Sequence, residues 1–291
     1  MPSPRLPRRR FVGSLSTTVA LLGLGARRLT AGPPPAPRVG CQANGFPLKP
    51  GDFPALLAAL RRMRELDYTG FECNVRFVEG EFARIAEARR QIEDTGVAFI
   101  GTHTSMQLAK PEVFPRWVEK VAALGASYIV MSGGGLAADG NFSADALRRK
   151  VTALNELGRT CRQGGLRLAY HNHNPEFARR NAEMDALAEG TDPERVSFLM
   201  DAGHARLGGG DPAAFLQQHP GRIVGCHLKT FKELVQVPLG QGDWDFVDLA
   251  AAIKSTGWHG WLITEEGGGP RPGNTAALGP DREYIRRIFG A

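Results

Sequence analysis

From residue 38 onward, short apolar runs alternate with amphipathic segments, and this alternation predicts eight strand–helix units. The apolar runs are continuous, which is typical of parallel strands covered by helices. The predicted strands are residues 38–43, 70–74, 97–103, 128–132, 166–172, 196–201, 223–228 and 261–265. The predicted helices are residues 53–66, 81–95, 111–124, 144–163, 181–189, 212–218, 246–255 and 282–289.

Helix-start residues support this division of the chain. Asp52, Ser143 and Asp211 each precede a predicted helix and are favourable N-cap residues. Eight units with short connections favour an α/β fold, a single-domain (β/α)8 TIM barrel over residues 38–291, rather than a doubly wound sheet. The glycine run at 133–135 lacks the GxGxxG spacing of a dinucleotide-binding fold. We expect this run either to let the loop approach a ligand or to form a simple turn.

The basic charge of the chain is confined to its first 32 residues. The formal net charge is +6, and residues 1–32 contain six arginines, no lysine and no acidic residue. Without this segment, 30 basic and 30 acidic residues remain, so residues 33–291 are formally neutral. A protein that binds the nucleic-acid backbone normally has a basic surplus in its folded domain, so a nucleic-acid partner is disfavoured.

Residues 1–32 have the pattern of an export signal. Residues 8–12, Arg-Arg-Arg-Phe-Val, resemble a twin-arginine motif, and the apolar run at 19–26 is too short and glycine-rich for a comfortable membrane span. Small residues at 29–32 offer a cleavage site, and the proline-rich segment 33–37 predicts a stiff linker. The alternative is a disordered basic tail. The signal predicts a periplasmic or extracellular protein that engages the twin-arginine translocase during export.

The four cysteines have no metal-site spacing. Cys41, Cys73, Cys161 and Cys226 contain no CxxC pair, so we interpret them as small buried residues and disfavour a zinc–cysteine site. An exported protein permits disulfides, and Cys41 with Cys73, on the first two predicted strands, is the one pair to test.

Candidate metal ligands stand at the ends of successive predicted strands, where an α/β barrel builds its active site. Asp201 and His227 each end an apolar run, and a buried aspartate needs a partner because burial of an unpaired charge is costly. The alternative for Asp201 is a cap on the following turn or a pair with an arginine. Glu265 ends the last strand in the same way, and alternation makes it the better inward candidate. A shift of the strand end by one residue would exchange Glu265 and Glu266.

The fifth strand carries two histidines on one face. His171 and His173 are two residues apart, so their side chains project together. One could bind a metal and the other contact substrate; the alternative is an exposed or core-satisfied pair. Other polar residues at strand ends are placed to face the same rim or to serve as structural polar groups: Glu72, His103, His204, Lys229 and the spare carboxylate Glu176.

Several of these segments together resemble the xylose-isomerase-like barrels, which include sugar isomerases, epimerases and inosose dehydratases and share a fold with endonuclease IV. The matching segments are Gly101-Thr102-His103, Tyr170-His171-Asn172-His173, Asp201-Ala202-Gly203-His204, His227-Leu228-Lys229, residues 238–246 and residues 260–265. The combination is specific for the superfamily but not for a substrate.

The resemblance implies one divalent metal ion, commonly Mn2+, with Zn2+, Mg2+ or Co2+ as alternatives. By position its ligands are His171, Asp201, His227 and Glu265. The implied reaction is removal of a proton next to a carbonyl through a metal-bound enediolate. Glu265, His173 or His103 is then the base, and Glu72, His204 and Lys229 are expected to contact substrate. His171 departs from the glutamate that ketose epimerases carry on strand five, and is closer to the dehydratase and keto-sugar branches.

Three function classes follow from this reading. The leading expectation is a metal-dependent isomerase or epimerase of an unphosphorylated carbohydrate, because sugar phosphates are scarce outside the cytoplasm. The alternative is a lyase or dehydratase of keto-sugars or keto-inositols, which uses the same enediolate. A non-catalytic sugar-binding barrel is the third class. DNA repair is opposed by the neutral charge and the export signal. A homodimer is possible because barrels of this family often pair.

Overall fold

The computed structural model describes residues 36–267 and 273–291. The predicted export signal at 1–32 and residues 33–35 of the predicted linker lie outside the described residues. The described residues belong to one compact unit. Among them, no helix combines the length and the apolar character needed to cross a membrane.

Eight parallel strands close into a barrel, which confirms the predicted fold. The barrel strands are β1 (Arg38–Gln42), β2 (Gly70–Asn74), β3 (Ala98–Ser105), β4 (Tyr128–Ser132), β5 (Arg167–His171), β6 (Val196–Asp201), β7 (Ile223–Leu228) and β10 (Trp261–Thr264). The barrel order is β1-β10-β7-β6-β5-β4-β3-β2, so each strand pairs with the next barrel strand in the chain and the last pairs with the first. Each predicted strand is present, with ends that differ by two residues or fewer.

Helices surround the barrel. They are α1 (Phe53–Glu65), α2 (Ile85–Glu93), α3 (Phe114–Leu124), α4 (Ala144–Gln163), α5 (Ala178–Gly190), α6 (Ala202–Leu207), α7 (Pro212–Gln218), α8 (Val247–Thr256) and α9 (Leu278–Phe289). The three predicted N-caps are confirmed, since Asp52, Ser143 and Asp211 each accept a hydrogen bond from the backbone N–H three residues later. Regular helical geometry in α5 begins only after residue 181, because residues 179–181 have positive φ.

Two elements were absent from the sequence prediction. A hairpin of β8 (Thr230–Lys232) and β9 (Val235–Val237) follows β7, and the short helix α6 follows β6. Three-residue strands and a six-residue helix are too short for hydrophobic periodicity to reveal. The starts of α2, α3 and α9 were also predicted wrongly by three or four residues. At these ends the loop and the first helical turn have similar amino-acid compositions, so the sequence does not mark the boundary.

The core has two layers. One cluster consists of buried side chains from the barrel strands that pack against one another: Ile100, Tyr128, Val130, Ala169, Leu199, Trp261 and Ile263. A larger cluster fills the space between the sheet and the helices. All four cysteines are buried with free thiols, and burial raises the pKa of Cys41 to about 12. They are therefore small core residues, as predicted, and the Cys41–Cys73 pair is not a disulfide.

Candidate metal centre

Four side chains from four neighbouring strands converge at the carboxyl end of the barrel. They are His171, Asp201, His227 and Glu265, all buried, and one ligand atom of each lies within 4.8 Å of those of the others. Asp201 and His227 are register partners on β6 and β7. The structure thus brings together the four residues predicted as metal ligands.

The sequence left Asp201 as a metal ligand or as a cap on the following turn, and its two carboxylate oxygens have different surroundings. Its Oδ1 accepts a hydrogen bond of 2.8 Å from the backbone N–H of His204 and so caps α6, while its Oδ2 lies 3.5 Å from Nε2 of His171. The amide of Asn172 fixes this strand end, donating to the carbonyl of Asp201 at 3.0 Å and accepting from its N–H at 2.8 Å. One oxygen therefore caps the helix and the other faces the cluster.

The ammonium of Lys229 supplies a positive charge to the two carboxylates. Its Nζ lies 2.6 Å from Oε2 of Glu265 and 2.9 Å from Oδ2 of Asp201. Burial would raise the pKa of both carboxyls, but the lysine and nearby histidines hold each pKa well below its usual range. The position between these two ionised carboxylates is buried and negatively charged. Such a position suits a metal cation, as it suits the ammonium group of Lys229.

The donor set fits a divalent ion. Burial lowers the pKa of His171 to about 3, so its imidazole is neutral at neutral pH, as ligation requires. Two imidazoles and two carboxylates are the ligand types that Zn2+ or Mn2+ takes from proteins. Nδ1 of His171 is buried and has no hydrogen-bond partner among the described residues.

Glu72 and His103 extend the cluster toward β2 and β3. Oε2 of Glu72 lies 2.7 Å from Nε2 of His227 and 2.8 Å from Nε2 of His103. Nδ1 of His227 lies 2.8 Å from Oε2 of Glu265. Burial lowers the pKa of His227, but the two flanking carboxylates outweigh it and raise this pKa to about 10.

His173 and His204 form a pair beside the cluster. Their ring centroids are 4.9 Å apart, and both side chains are partly exposed. Nδ1 of His173 is buried without a hydrogen-bond partner in the described part of the chain, whereas Nδ1 of His204 lies 2.6 Å from Oδ1 of Asn174. Burial lowers the pKa of His204 to about 4. A neutral imidazole of this kind can exchange protons with a bound molecule.

Glu265 and Glu266 point to different neighbours, as strand alternation predicts. Glu265 is held by Asn44, whose side-chain amide donates to Oε1 at 3.1 Å. Glu266 faces Asp281 instead, and burial together with the Asp281 carboxylate raises the pKa of Glu266 to about 9. Sequence reasoning missed Asn44, although it follows the first strand as the other site residues follow theirs.

The glycine run at 133–135 packs against protein side chains. A Cβ on Gly133 would lie 2.6 Å from the hydroxyl of Tyr170, and one on Gly135 would lie 2.3 Å from Cβ of Pro175. Tyr170 in turn donates a hydrogen bond of 2.7 Å to Oε1 of Glu176. The glycines therefore allow close packing against Tyr170 on β5 and against Pro175 after it, and the expected approach to a ligand stays a prediction. The spare carboxylate Glu176 is fully buried and supports the same loop.

Comparison with known proteins agrees with this architecture. Inosose dehydratase of Lacticaseibacillus casei is 30% identical over 183 residues, which are 52% of this chain and 61% of that protein. The match thus spans about three fifths of that relative's length. A structure of L-ribulose 3-epimerase superposes with a TM-score of 0.71 at 16% identity, covering 87% of this chain and 95% of that one. The IOLI protein, determined with a bound zinc atom, gives a TM-score of 0.68 at 14% identity, covering 87% and 98%.

A family profile decides the classification. The structural neighbours are below 25% identity and show the shared fold alone. The profile described as "Xylose isomerase-like TIM barrel" matches residues 60–288, which is most of the described chain. The chain belongs to the xylose isomerase-like TIM-barrel family.

Proposed function

We propose that this protein is a metal-dependent enzyme that removes a proton next to the carbonyl of a small unphosphorylated carbohydrate. Loss of a β-hydroxyl from a keto-inositol or keto-sugar is the favoured outcome. The observation that carries the proposal is the buried group His171, Asp201, His227 and Glu265 at the barrel rim, with all four ligand atoms within 4.8 Å of one another.

The four side chains would hold one divalent ion, which when bound polarises a carbonyl oxygen and stabilises negative charge next to it. His173 is the proposed base, because its ring is partly exposed and lies next to the cluster, with its centroid 5.2 Å from that of His171. Proton removal by a positioned imidazole is common in enzymes and contributes about 10²–10⁴-fold to the rate.

The paired histidines favour elimination over epimerisation. In elimination, the base takes the C–H proton, the C–O bond breaks, and an acid gives a proton to the departing hydroxyl, so that water is released. His173, once it holds the C–H proton, is the acid that gives this proton to the departing hydroxyl, and the neutral ring of His204 lies beside it on the same side of the cluster, with centroids 4.9 Å apart. Epimerisation needs groups on opposite faces of the substrate, and His171 replaces one of the facing glutamates expected for that reaction. The inosose dehydratases among the relatives also support elimination.

The unphosphorylated substrate and the location of the enzyme depend on the leader. The twin-arginine-type segment at residues 8–12 supports export in the folded, metal-loaded state. Mn2+ is the metal that the family resemblance favours, and Zn2+, Mg2+ or Co2+ would suit the same ligands.

The test begins with elemental analysis of the purified full-length chain. The metal-loaded protein is then incubated in deuterated water with an inosose and with free ketoses, and NMR monitors exchange of the proton next to the carbonyl. Ultraviolet absorbance of the unsaturated product distinguishes loss of water from epimerisation, in which exchange occurs without loss of water.

Two outcomes would contradict the proposal. If the folded protein takes up no divalent metal, the four predicted ligands do not form a metal site and the proposed reaction has no metal centre. A metal-loaded protein that binds the sugars saturably but exchanges no proton would instead be a sugar-binding barrel. Epimerised product without loss of water would keep the enzyme class and overturn the favoured outcome.

A further inference from the structure

One carboxylate oxygen of Glu72 lies within hydrogen-bond distance of two imidazole rings. Glu72 lies on β2 and is fully buried. Its Oε2 lies 2.7 Å from Nε2 of His227 and 2.8 Å from Nε2 of His103. Its Oε1 accepts a hydrogen bond of 2.6 Å from the hydroxyl of Tyr128. Three protein groups thus surround a carboxylate that sequence reasoning assigned to substrate.

We propose that Glu72 is a positioning residue, which orients His227 and His103 and determines which nitrogen of each ring carries hydrogen. The inference rests on the metal centre of the proposed function. It adds a residue that acts through the ligand His227 rather than by contact with metal or substrate.

The chemistry of the carboxylate determines the tautomer of His227. An ionised carboxylate only accepts hydrogen bonds, so Nε2 of His227 carries hydrogen toward Glu72, and Nδ1 is the nitrogen that can bind a metal once its own proton leaves. Nδ1 of His227 lies 2.8 Å from Oε2 of Glu265 and 3.3 Å from Nε2 of His171. Nδ1 is therefore the nitrogen that faces the other predicted ligands, and without a metal its hydrogen is donated to Glu265. Carboxylates commonly fix ligating histidines in this way.

The same oxygen immobilises His103. With Nε2 of His103 bonded to Glu72, its Nδ1 lies 3.0 Å from Oγ of Ser132. The ring also stacks on His227, with centroids 5.4 Å apart and an interplanar angle of 28°. Both nitrogens of His103 have protein partners, so we assign His103 to the support of His227 rather than to proton removal.

A second cation is the competing interpretation. Glu72, His103 and His227 also place ligand atoms within 4.8 Å of one another. A metal ion bound there would use Nε2 of His227 and would add a second equivalent of metal per chain. The two interpretations therefore differ in stoichiometry as well as in tautomer.

The first experiment titrates Zn2+ into the metal-free full-length chain by competition with a chelating dye. Wild type is compared with Glu72→Gln and with the matched control Glu176→Gln. Glu176 is an equally buried glutamate that accepts from the hydroxyl of Tyr170 and the backbone N–H of His173, and within the described part of the chain it has no hydrogen bond to an imidazole ring. We expect one equivalent in wild type, about 10- to 100-fold weaker binding in Glu72→Gln, and less than about threefold change in the control.

The second readout is independent of metal. Histidine side-chain 15N spectra of the metal-free protein should show hydrogen on Nε2 of His103 in wild type, and loss of this preference in Glu72→Gln. If wild type binds no zinc but shows this tautomer, the proposed metal function fails and the positioning role of Glu72 stands.

Three results would overturn the inference. Unchanged zinc affinity in Glu72→Gln would remove the link to the ligand. An Nδ1–H tautomer of His103 in wild type would contradict the hydrogen-bond assignment. Two zinc equivalents in wild type and one in Glu72→Gln would make Glu72 a ligand of a second metal ion.

Discussion

The ammonium of Lys229 lies 2.6 Å from Oε2 of Glu265, deep in the cluster of predicted metal ligands. The same ammonium is 2.9 Å from Asp201, so it neutralises two buried carboxylates that a divalent ion would also neutralise. Lys229 therefore stabilises the same negative charges that a divalent ion held by the four predicted ligands would stabilise.

Replacement of this lysine should make folding depend on metal. We expect Lys229→Met to destabilise the metal-free protein by about 3 kcal/mol, because removal of one partner leaves buried carboxylates without compensation. Saturating Zn2+ should then raise the melting temperature of the variant more than that of wild type. Lys232→Met, on the exposed side of the hairpin, is the control. Equal metal-induced shifts in Lys229→Met and wild type would contradict this dependence.

The metal content of variants should distinguish the predicted ligands from nearby residues that do not bind the ion. His227→Ala and Asp201→Ala are expected to lower the occupancy of the bound ion, since each removes one of the four donors that would hold it. Elemental analysis of dialysed protein measures this directly. His219→Ala, which changes a histidine outside the cluster, should retain the ion. Full occupancy in either ligand variant would exclude that residue as a ligand.

Metal affinity should increase with pH. The flanking carboxylates raise the pKa of His227 to about 10, so its ring carries a proton at neutral pH that must leave before Nδ1 can bind a cation. One released proton corresponds to about a tenfold gain in affinity per pH unit, expected from about pH 6 to about pH 9. Calorimetry in buffers of different ionisation enthalpy counts the released protons. Affinity that is independent of pH would show that His227 is already neutral.

The free energy of unfolding should depend on pH through the titration of Glu266. Its pKa rises from 4.5 to about 9 in the folded state, so the folded chain binds a proton that the unfolded chain has lost. This contribution is present below pH 4.5 and is lost as the pH rises through about 9. Urea unfolding between pH 5 and pH 9 should therefore show a steeper loss of stability in wild type than in Glu266→Gln. Parallel curves would mean that the carboxyl is ionised in the fold.

His173 should affect turnover without affecting metal binding. His173→Asn removes the proposed base but none of the four predicted ligands, so we expect kcat to fall about 10²- to 10⁴-fold with metal content unchanged. Proton exchange of the substrate in deuterated water, measured with metal-loaded protein, separates this effect from loss of the ion. Retention of exchange in the variant would transfer the role of base to His204 or Glu265.

The strand pattern, the barrel and the position of the candidate site could be predicted from the sequence. Each barrel strand is a continuous apolar run, and such a run reflects burial on both faces, which is a local property of the chain. The carboxyl ends of parallel strands share one rim, so residues that end the runs, such as Asp201 and His227, were expected to meet. Alternation along the last strand favoured Glu265 over Glu266 for the inward position, but only the observed end of the strand decided between them.

Only the tertiary structure decided which groups pair inside that rim. Asn44 donates to Glu265 across 221 residues of chain, and Glu72 meets His227 across 155. These contacts depend on barrel closure, strand register and side-chain rotamers. None of these can be inferred from the periodicity of apolar residues along the sequence. The pattern of residues therefore determined where the chemistry gathers, whereas closure of the sheet determined that Lys229 lies among the carboxylates and that Glu72 holds two histidines.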